Sequence, residues 1–337
     1  MDRFLQLFGD NPAEYVVNSL LMAFIAYWAW RLILSPLLAI IRNLWMLRAI
    51  RTIGVLEITP PKQPHTQPLN TKNLFAVLQM NFKSKSPVSF EIVGDKKNGI
   101  RYRAVADKDD LPSIQKHFAS YMPELKFKYF DTAPPLRPGA VTMGLKQTRS
   151  FAYPLKPQED LTETDPIAFI AGSMTQLKDD EEVALQLILR QYSSRKASRI
   201  YNQILKRGHA KVDGILKLSQ PLFLTDMRFS AYSSERTATL LNDFAASLET
   251  LNSPGFQNIQ YSRHPLAAQS NKYSAMLFSH RLGSVLPCTP SVLSAGELAS
   301  IFHFPQGLIR TEGMVRTHSR VLPAPISLHG NPNLTLL

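Results

Sequence analysis

The stretch DDEEVALQLILRQ, Asp179 to Gln191, reads two ways, and the choice between them sets the fold. Acids at its start and Arg190 near its end suit the dipole of a helix. Val183, Leu185, Leu187 and Leu189, however, alternate with Ala184, Gln186, Ile188 and Arg190, a period of two that predicts a strand. Its flanks are helical. Upstream, DPIAFIAGSMTQL has Asp165 as cap, Pro166 at the first helical position and a stripe of Ile167, Ile170, Met174 and Leu177. Downstream, SSRKASRIYNQILKRGHAK is a basic helix.

Working outward, AVTMGLKQTRSFAY reads as a strand, and PLFLTDMRFSAY, SERTATLLNDFAASLETL and FQNIQYSR read as strand, helix and strand. Residues 136–270 are thus one α+β unit. Residues 70–135 form another. There TKNLFAVLQM, capped by Asn70, precedes a hairpin of VSFEIV and IRYRAVAD around Asn98-Gly99, then the helix DLPSIQKHFASYM and the strand LKFKYF. Helices on one side of a largely antiparallel sheet make the expected fold class α+β, two-layer α/β sandwich units of ferredoxin-like type. No self-similarity at a 20 to 50 residue period stands out.

Before these units, YVVNSLLMAFIAYWAWRLIL, from Tyr15, holds a single charge, Arg31, and is long enough to cross a bilayer as a helix. Tyr27, Trp28 and Trp30 suit the headgroup level, and Arg31 can snorkel. A cleaved signal peptide is disfavoured, because the first 14 residues carry Asp2, Asp10 and Glu14 against Arg3 alone. After Pro36, Arg42, Arg48 and Arg51 follow closely, so the carboxy-terminal bulk is expected in the cytoplasm; the resemblance given below implies a bacterial inner membrane. The expected organisation is a transmembrane anchor and juxtamembrane helix (1–58), a Pro-rich linker (59–69), the two units (70–135 and 136–270), and a docking helix with an extended tail (271–337). Residues 36–50 either extend the span or lie on the interface.

Composition excludes several classes. With 45% apolar residues the 337-residue chain can build sizeable cores, so disorder is not the default. A single cysteine, Cys288, rules out an internal disulfide framework and a cysteine-based zinc site. The net charge of +12 favours phosphate-rich partners or an anionic membrane face. Most of the surplus falls in residues 61–155, with 15 Lys/Arg against seven Asp/Glu.

No motif carries catalysis. GxxxxGK[ST], GxGxxG and HExxH are all absent, and His117, His209, His264, His280 and His303 are scattered singly. Ser193 and Lys196 match S-x-x-K, but its companion elements are missing. Asp179 to Glu182 read as a solvated element start. The chain is therefore expected to be non-enzymatic and to need no cofactor or metal. The candidate contacts to nucleic-acid or lipid phosphate are Lys96, Lys97, Arg101 and Arg103 on the hairpin, with Arg195, Lys196, Arg199, Lys206 and Arg207 on the basic helix, near Lys211 and Lys217.

Near the end, LSAGELASIFHFP, Leu293 to Pro305, pairs Ser294 with Glu297 in a capping box and aligns Leu298, Ile301 and Phe302 in an apolar stripe. It reads as a short docking helix or as the last helix of the core. The run resembles an ELA-x-x-x-HFP signature, matched by Glu297, Leu298, Ala299, His303, Phe304 and Pro305, found just upstream of the motor in type IV secretion and conjugation-type DNA-translocating ATPases. These are coupling-protein relatives of candidate-phylum bacteria. SFEIVGDKKNGIRYRAV, DPIAFIAGSMTQLKDDEEVALQLIL and GLIRTEGMVRTHSRVLPAP are similar to the membrane-proximal region of the same family, so that the resemblance spans residues 70–325.

The resemblance implies a module of a DNA-translocation system. In the family an ATPase domain with its phosphate loop would follow, whereas this sequence closes at NPNLTLL, so no nucleotide-binding role transfers to any position. The expected partner is a DNA-translocating ATPase on a separate chain, from a split gene or lost by truncation. Glu297, Leu298, Ile301, Phe302, His303 and Phe304 are the candidate motor-docking residues. The alternative is a membrane-tethered protein that binds nucleic acid without reading its sequence. DNA and a second copy of the chain remain candidate partners in either case.

Overall fold

A computed structural model of the chain describes residues 12–34, 37–38, 40–41, 44, 53–61, 68–81, 87–156, 165–193, 195, 197–199, 202, 217–249, 251–252, 255–262, 274–283 and 291–304. The elements run, in chain order, α1 (Pro12–Ala29), β1 (Ile53–Thr59), α2 (Pro68–Asn81), β2 (Val88–Asp95), β3 (Gly99–Asp107), α3 (Leu111–Tyr121) and β4 (Lys126–Phe130). They continue as β5 (Val141–Gln147), α4 (Pro166–Thr175), β6 (Glu182–Gln191), β7 (Leu222–Tyr232), α5 (Thr237–Glu249), β8 (Ile259–Ser262), β9 (Ser291–Ser294) and α6 (Ala295–Ile301). The nine strands among the described residues all join one antiparallel sheet in the order β4-β1-β3-β2-β6-β7-β5-β8, with β9 paired to β7.

The alternating run at 182–191 is a strand, and it lies in the middle of this sheet. β6 pairs β2 on one side and β7 on the other, and Val183 to Leu189 are buried on both faces. Two-sided burial explains why the run is apolar nearly throughout, a composition that a short helix would share. The hairpin, the helices at 111–121 and 166–175, and the strands at 126–130, 141–147 and 222–232 form where periodicity places them. Gly99 closes the hairpin at φ 68°, a conformation that favours glycine. Asp165 caps α4 by accepting from the Ile167 amide at 2.9 Å.

The boundary between anchor and body differs from expectation. Ile53–Thr59, assigned by sequence to the tail of the 1–58 anchor segment and the first residue of the linker, is β1, paired with both β3 and β4. The expected linker, 59–69, thus begins on the last residue of β1 and ends within the first turn of α2, and its residues 62–67 lie outside the described residues. A short apolar run that follows a long apolar stretch of sequence carries no periodicity of its own, which hid the strand. Helix α2 also starts at Pro68, two residues before the expected Asn70 cap.

With β1 in place, the two halves match. The order β1-α2-β2-β3-α3-β4 packs as 4-1-3-2, and β5-α4-β6-β7-α5-β8 packs the same way, the halves meeting through β2 and β6. Because this repeat is a whole supersecondary unit, it lies above the 20 to 50 residue window in which repeats are sought. One core joins the halves. Phe75 of α2, Phe90 of β2, Phe223 of β7 and Phe302 after α6 gather there, with Phe75 and Phe90 at 5.5 Å and Phe90 and Phe302 at 5.2 Å between ring centres.

Outside this body, α1 continues as a π-helix over Trp30–Leu34. Glu14–Leu34 is long and apolar enough to cross a membrane, and its most apolar window is 0% buried. The described residues at 37–38, 40–41 and 44 are also helical.

Candidate functional site

Charged residues at the centre of the sheet form the most distinctive polar feature. Reading straight across the strands, Lys128 of β4 faces Glu57 of β1, Glu57 faces Arg103 of β3, Arg103 faces Glu91 of β2, Glu91 faces Gln186 of β6, and Gln186 faces Arg228 of β7. All six lie on the face of the sheet opposite Ile58, Tyr102, Ile92 and Leu185, which pack with α2 to α6 in the main core. Alternating sign between direct cross-strand neighbours is favourable, whereas like charges in these positions would repel.

The middle of this row is covered by residues 274–283, which include a helical segment at 274–279. Arg281 reaches back to Glu91 through two hydrogen bonds, Nε to Oε1 at 3.0 Å and Nη2 to Oε2 at 3.1 Å. Ser89 and Gln186 also donate to Glu91 Oε1, at 3.0 and 2.9 Å. Gln186 and Arg228 bind the covering backbone at Phe278 O (2.9 Å) and Leu282 O (2.6 Å). Burial pushes the Glu91 carboxyl up, but Arg281, Gln186 and Ser89 together outweigh it and hold the group below the ordinary carboxylate range. Arg281 sits at φ 52°, the one non-glycine residue at positive φ among the described residues. The cover is thus secured by ion pairs and hydrogen bonds, with Phe278 supplying an apolar contact to Val93 and Ala184.

The predicted phosphate contacts divide. Lys96 and Lys97 are exposed in the β2–β3 turn, and Arg195 and Arg199 are exposed. Arg101 is ion-paired with Asp95. Arg103 is 7% exposed and faces Glu57 at 3.6 Å; burial first, then the like charge of Arg101, pull it below its ordinary value, with Glu91 and Glu57 opposing. The hairpin therefore offers two lysines to a ligand, because its arginines are spent inside the sheet. Side chains of Lys196, Lys206 and Arg207 lie outside the described residues, as does Lys211. Lys217 is buried against Glu297 at 3.0 Å and is no part of a basic surface; burial lowers it from its ordinary value, and Glu297 opposes the shift.

The expected docking helix is turned inward. Its capping box is present, with Glu297 donating its backbone amide to Ser294 Oγ at 3.3 Å and accepting from the Ser294 amide at 2.7 Å. Yet Glu297, Leu298, Ile301, Phe302, His303 and Phe304 are all buried, at 7% exposure or less. Phe302 and Phe304 pack on Tyr102 at 5.4 and 4.7 Å. Glu297 additionally accepts from the Leu155 amide at 2.6 Å, fastening the chain after β5 to α6. His303 places Nδ1 2.8 Å from Ala299 O and Nε2 3.0 Å from Asp165, so it ties the end of α6 to the cap of α4. Among the described residues these six side chains are part of the body's own core.

Sequence reasoning missed Glu91, Arg228 and Arg281. Its one signal was charge inside otherwise apolar strands, at Glu91 in SFEIV and Arg228 in DMRFSAY; their partners depend on register. Among the described residues no group of three His, Cys, Asp or Glu side chains is placed to hold a metal ion. No protein-family model matches the chain, and no curated protein is significantly similar to it.

Proposed function

We propose that this chain is a non-enzymatic, membrane-anchored module of a type IV secretion or conjugation-type DNA-translocation system, holding a separate ATPase at the cytoplasmic face of the inner membrane. The observation that carries the reading is the Glu14–Leu34 helix, apolar along its length and with none of its most apolar window buried by the body. Such a helix needs a lipid environment or a partner to shield it. The order of family-like motifs supplies the system, and Arg42, Arg48 and Arg51 supply the orientation. In this reading each half of the sheet is a ferredoxin-like unit, and the fused pair is a rigid platform.

Co-purification from native membranes tests the proposal. Recovery with a DNA-translocating ATPase is the expected result. ATP turnover by the pure isolated chain, or release of the body after cleavage within the first 40 residues, would overturn it. The alternative, membrane-tethered DNA binding, rests on the exposed Lys96, Lys97, Arg195 and Arg199. It requires steeply salt-dependent DNA affinity that is lost when those four cations are reversed.

A further inference from the structure

Because α6 faces inward, a partner must meet the body elsewhere, and the β4 end of the sheet is built for contact. Among the described residues β4 pairs only with β1, so no described strand takes up the main-chain groups along its other side, which lie at an edge of the sheet. Four of its five residues are exposed, including Tyr129 at 48% and Phe130 at 38%. Lys126, Lys128 and Phe130 lie on the charged face of the sheet, with the Lys128 ammonium 4.9 Å from the Phe130 ring centre. Phe127 and Tyr129 lie on the helix face, Phe127 half-buried against the core and Tyr129 bonded to Gln115 of α3. No acidic side chain among the described residues lies within ion-pair distance of Lys126 or Lys128, whereas neighbouring Lys108 is already held by Asp131 at 2.8 Å. The strand at the opposite end, β8, has only four residues and no lysine.

We infer that β4 is a strand-addition site for an extended acidic segment of a partner protein, with acids at alternate positions opposite Lys126 and Lys128 and apolar residues between them beside Phe127 and Tyr129. Main-chain hydrogen bonds supply the attraction, and alternate side chains supply the selection. The lysines also choose against a second copy of this chain. Two β4 strands paired about a two-fold axis centred on Lys128 would set one Lys128 directly against the other. An anionic membrane is disfavoured at the same corner, because β1 begins there beside Asp107 and the exposed Asp109 and Asp131 follow.

This site rests on the platform reading for its partner but not for its chemistry, so the two can fail separately. The full chain in neutral-lipid nanodiscs is mixed with a synthetic peptide of alternating glutamate and valine, and hydrogen exchange is followed across 126–130. Protection of those amides is expected, with binding weaker by about tenfold for the peptide carrying lysine in place of glutamate, and the preference inverted in a Lys126→Glu/Lys128→Glu variant. Absence of protection, equal binding of both peptides, or protection confined to other strands would overturn the site. So would protection of 126–130 by anionic-lipid nanodiscs without peptide, or by self-association. Loss of ATPase co-purification with peptide binding intact would instead sink the platform reading alone.

Discussion

Two rows of side chains cross the same strands one residue apart, and they could hardly differ more. On the helix face the row runs Phe127, Ile58, Tyr102, Ile92, Leu185, Phe229 and Met143; on the other face it runs Lys128, Glu57, Arg103, Glu91, Gln186 and Arg228. The first row is held by burial of apolar surface, which is non-directional and tolerates some repacking. The second is held by paired charges, which are costly to bury and still more costly to leave alone. Antiparallel pairing turns a period of two in each strand into two chemically opposite surfaces.

Removing a ring from the first side should do the most damage. Phe302→Ala empties a site shared with Phe75, Phe90 and Tyr102 and is expected to cost about 4 kcal/mol in urea unfolding of the detergent-solubilised chain. A loss near zero would mean that α6 is not a core element. On the charged side, Glu91→Ala leaves Arg281 buried without its partner, at a cost of about 3 kcal/mol, whereas Glu91→Leu combined with Arg281→Leu should recover most of that loss. If the double variant is no better than the single one, the cover is held by shape and not by charge.

Acid sharpens the comparison because the apolar row carries no carboxylate for it to protonate. Glu91 and Asp165 are held below the usual carboxylate range. For Asp165, burial is opposed first by the hydrogen bond and charge of His303 and then by the Ile167 and Ala168 amides. Their stabilisation is fully present above the unfolded carboxylate value of about 4 and is lost as pH falls through the lower folded values. Glu182, which burial pushes upward, acts in the opposite sense, its cost being relieved by acid. Urea midpoints should therefore fall below about pH 4, and the fall should be shallower in Glu91→Gln. The smallest effect belongs to the exposed edge: Lys126→Gln should change stability by no more than about 0.5 kcal/mol, and a larger loss would show that the edge is part of the framework.

The period-two alternation from Val183 to Arg190 was enough to place a strand, and Asp165-Pro166, Asn98-Gly99 and Ser294 with Glu297 fixed caps and turns, because these signals act over a few residues. β1 was not legible, since a short apolar run beside a longer apolar helix has no distinguishing period. The fate of Arg101, Arg103 and Lys217 was not legible either: a cation reads as surface until its partner is known, and Asp95, Glu57 and Glu297 become partners through register and packing. The inward turn of Glu297 to Phe304 belongs to the same class, because an amphipathic helix specifies an apolar side and leaves its neighbour undefined.

Sequence by itself determined the apolar α1, the alternation of the strands and the capping of the helices, all of them consequences of neighbours along the chain. Tertiary structure alone decided that two βαββαβ halves share one sheet, that Glu91 meets Arg281 190 residues away, and that β4 is exposed while α6 is buried. The physical reason is one of range. Backbone preference and hydrophobic period are local, whereas pairing of charges and closure of a core depend on which distant segments the folded sheet brings together.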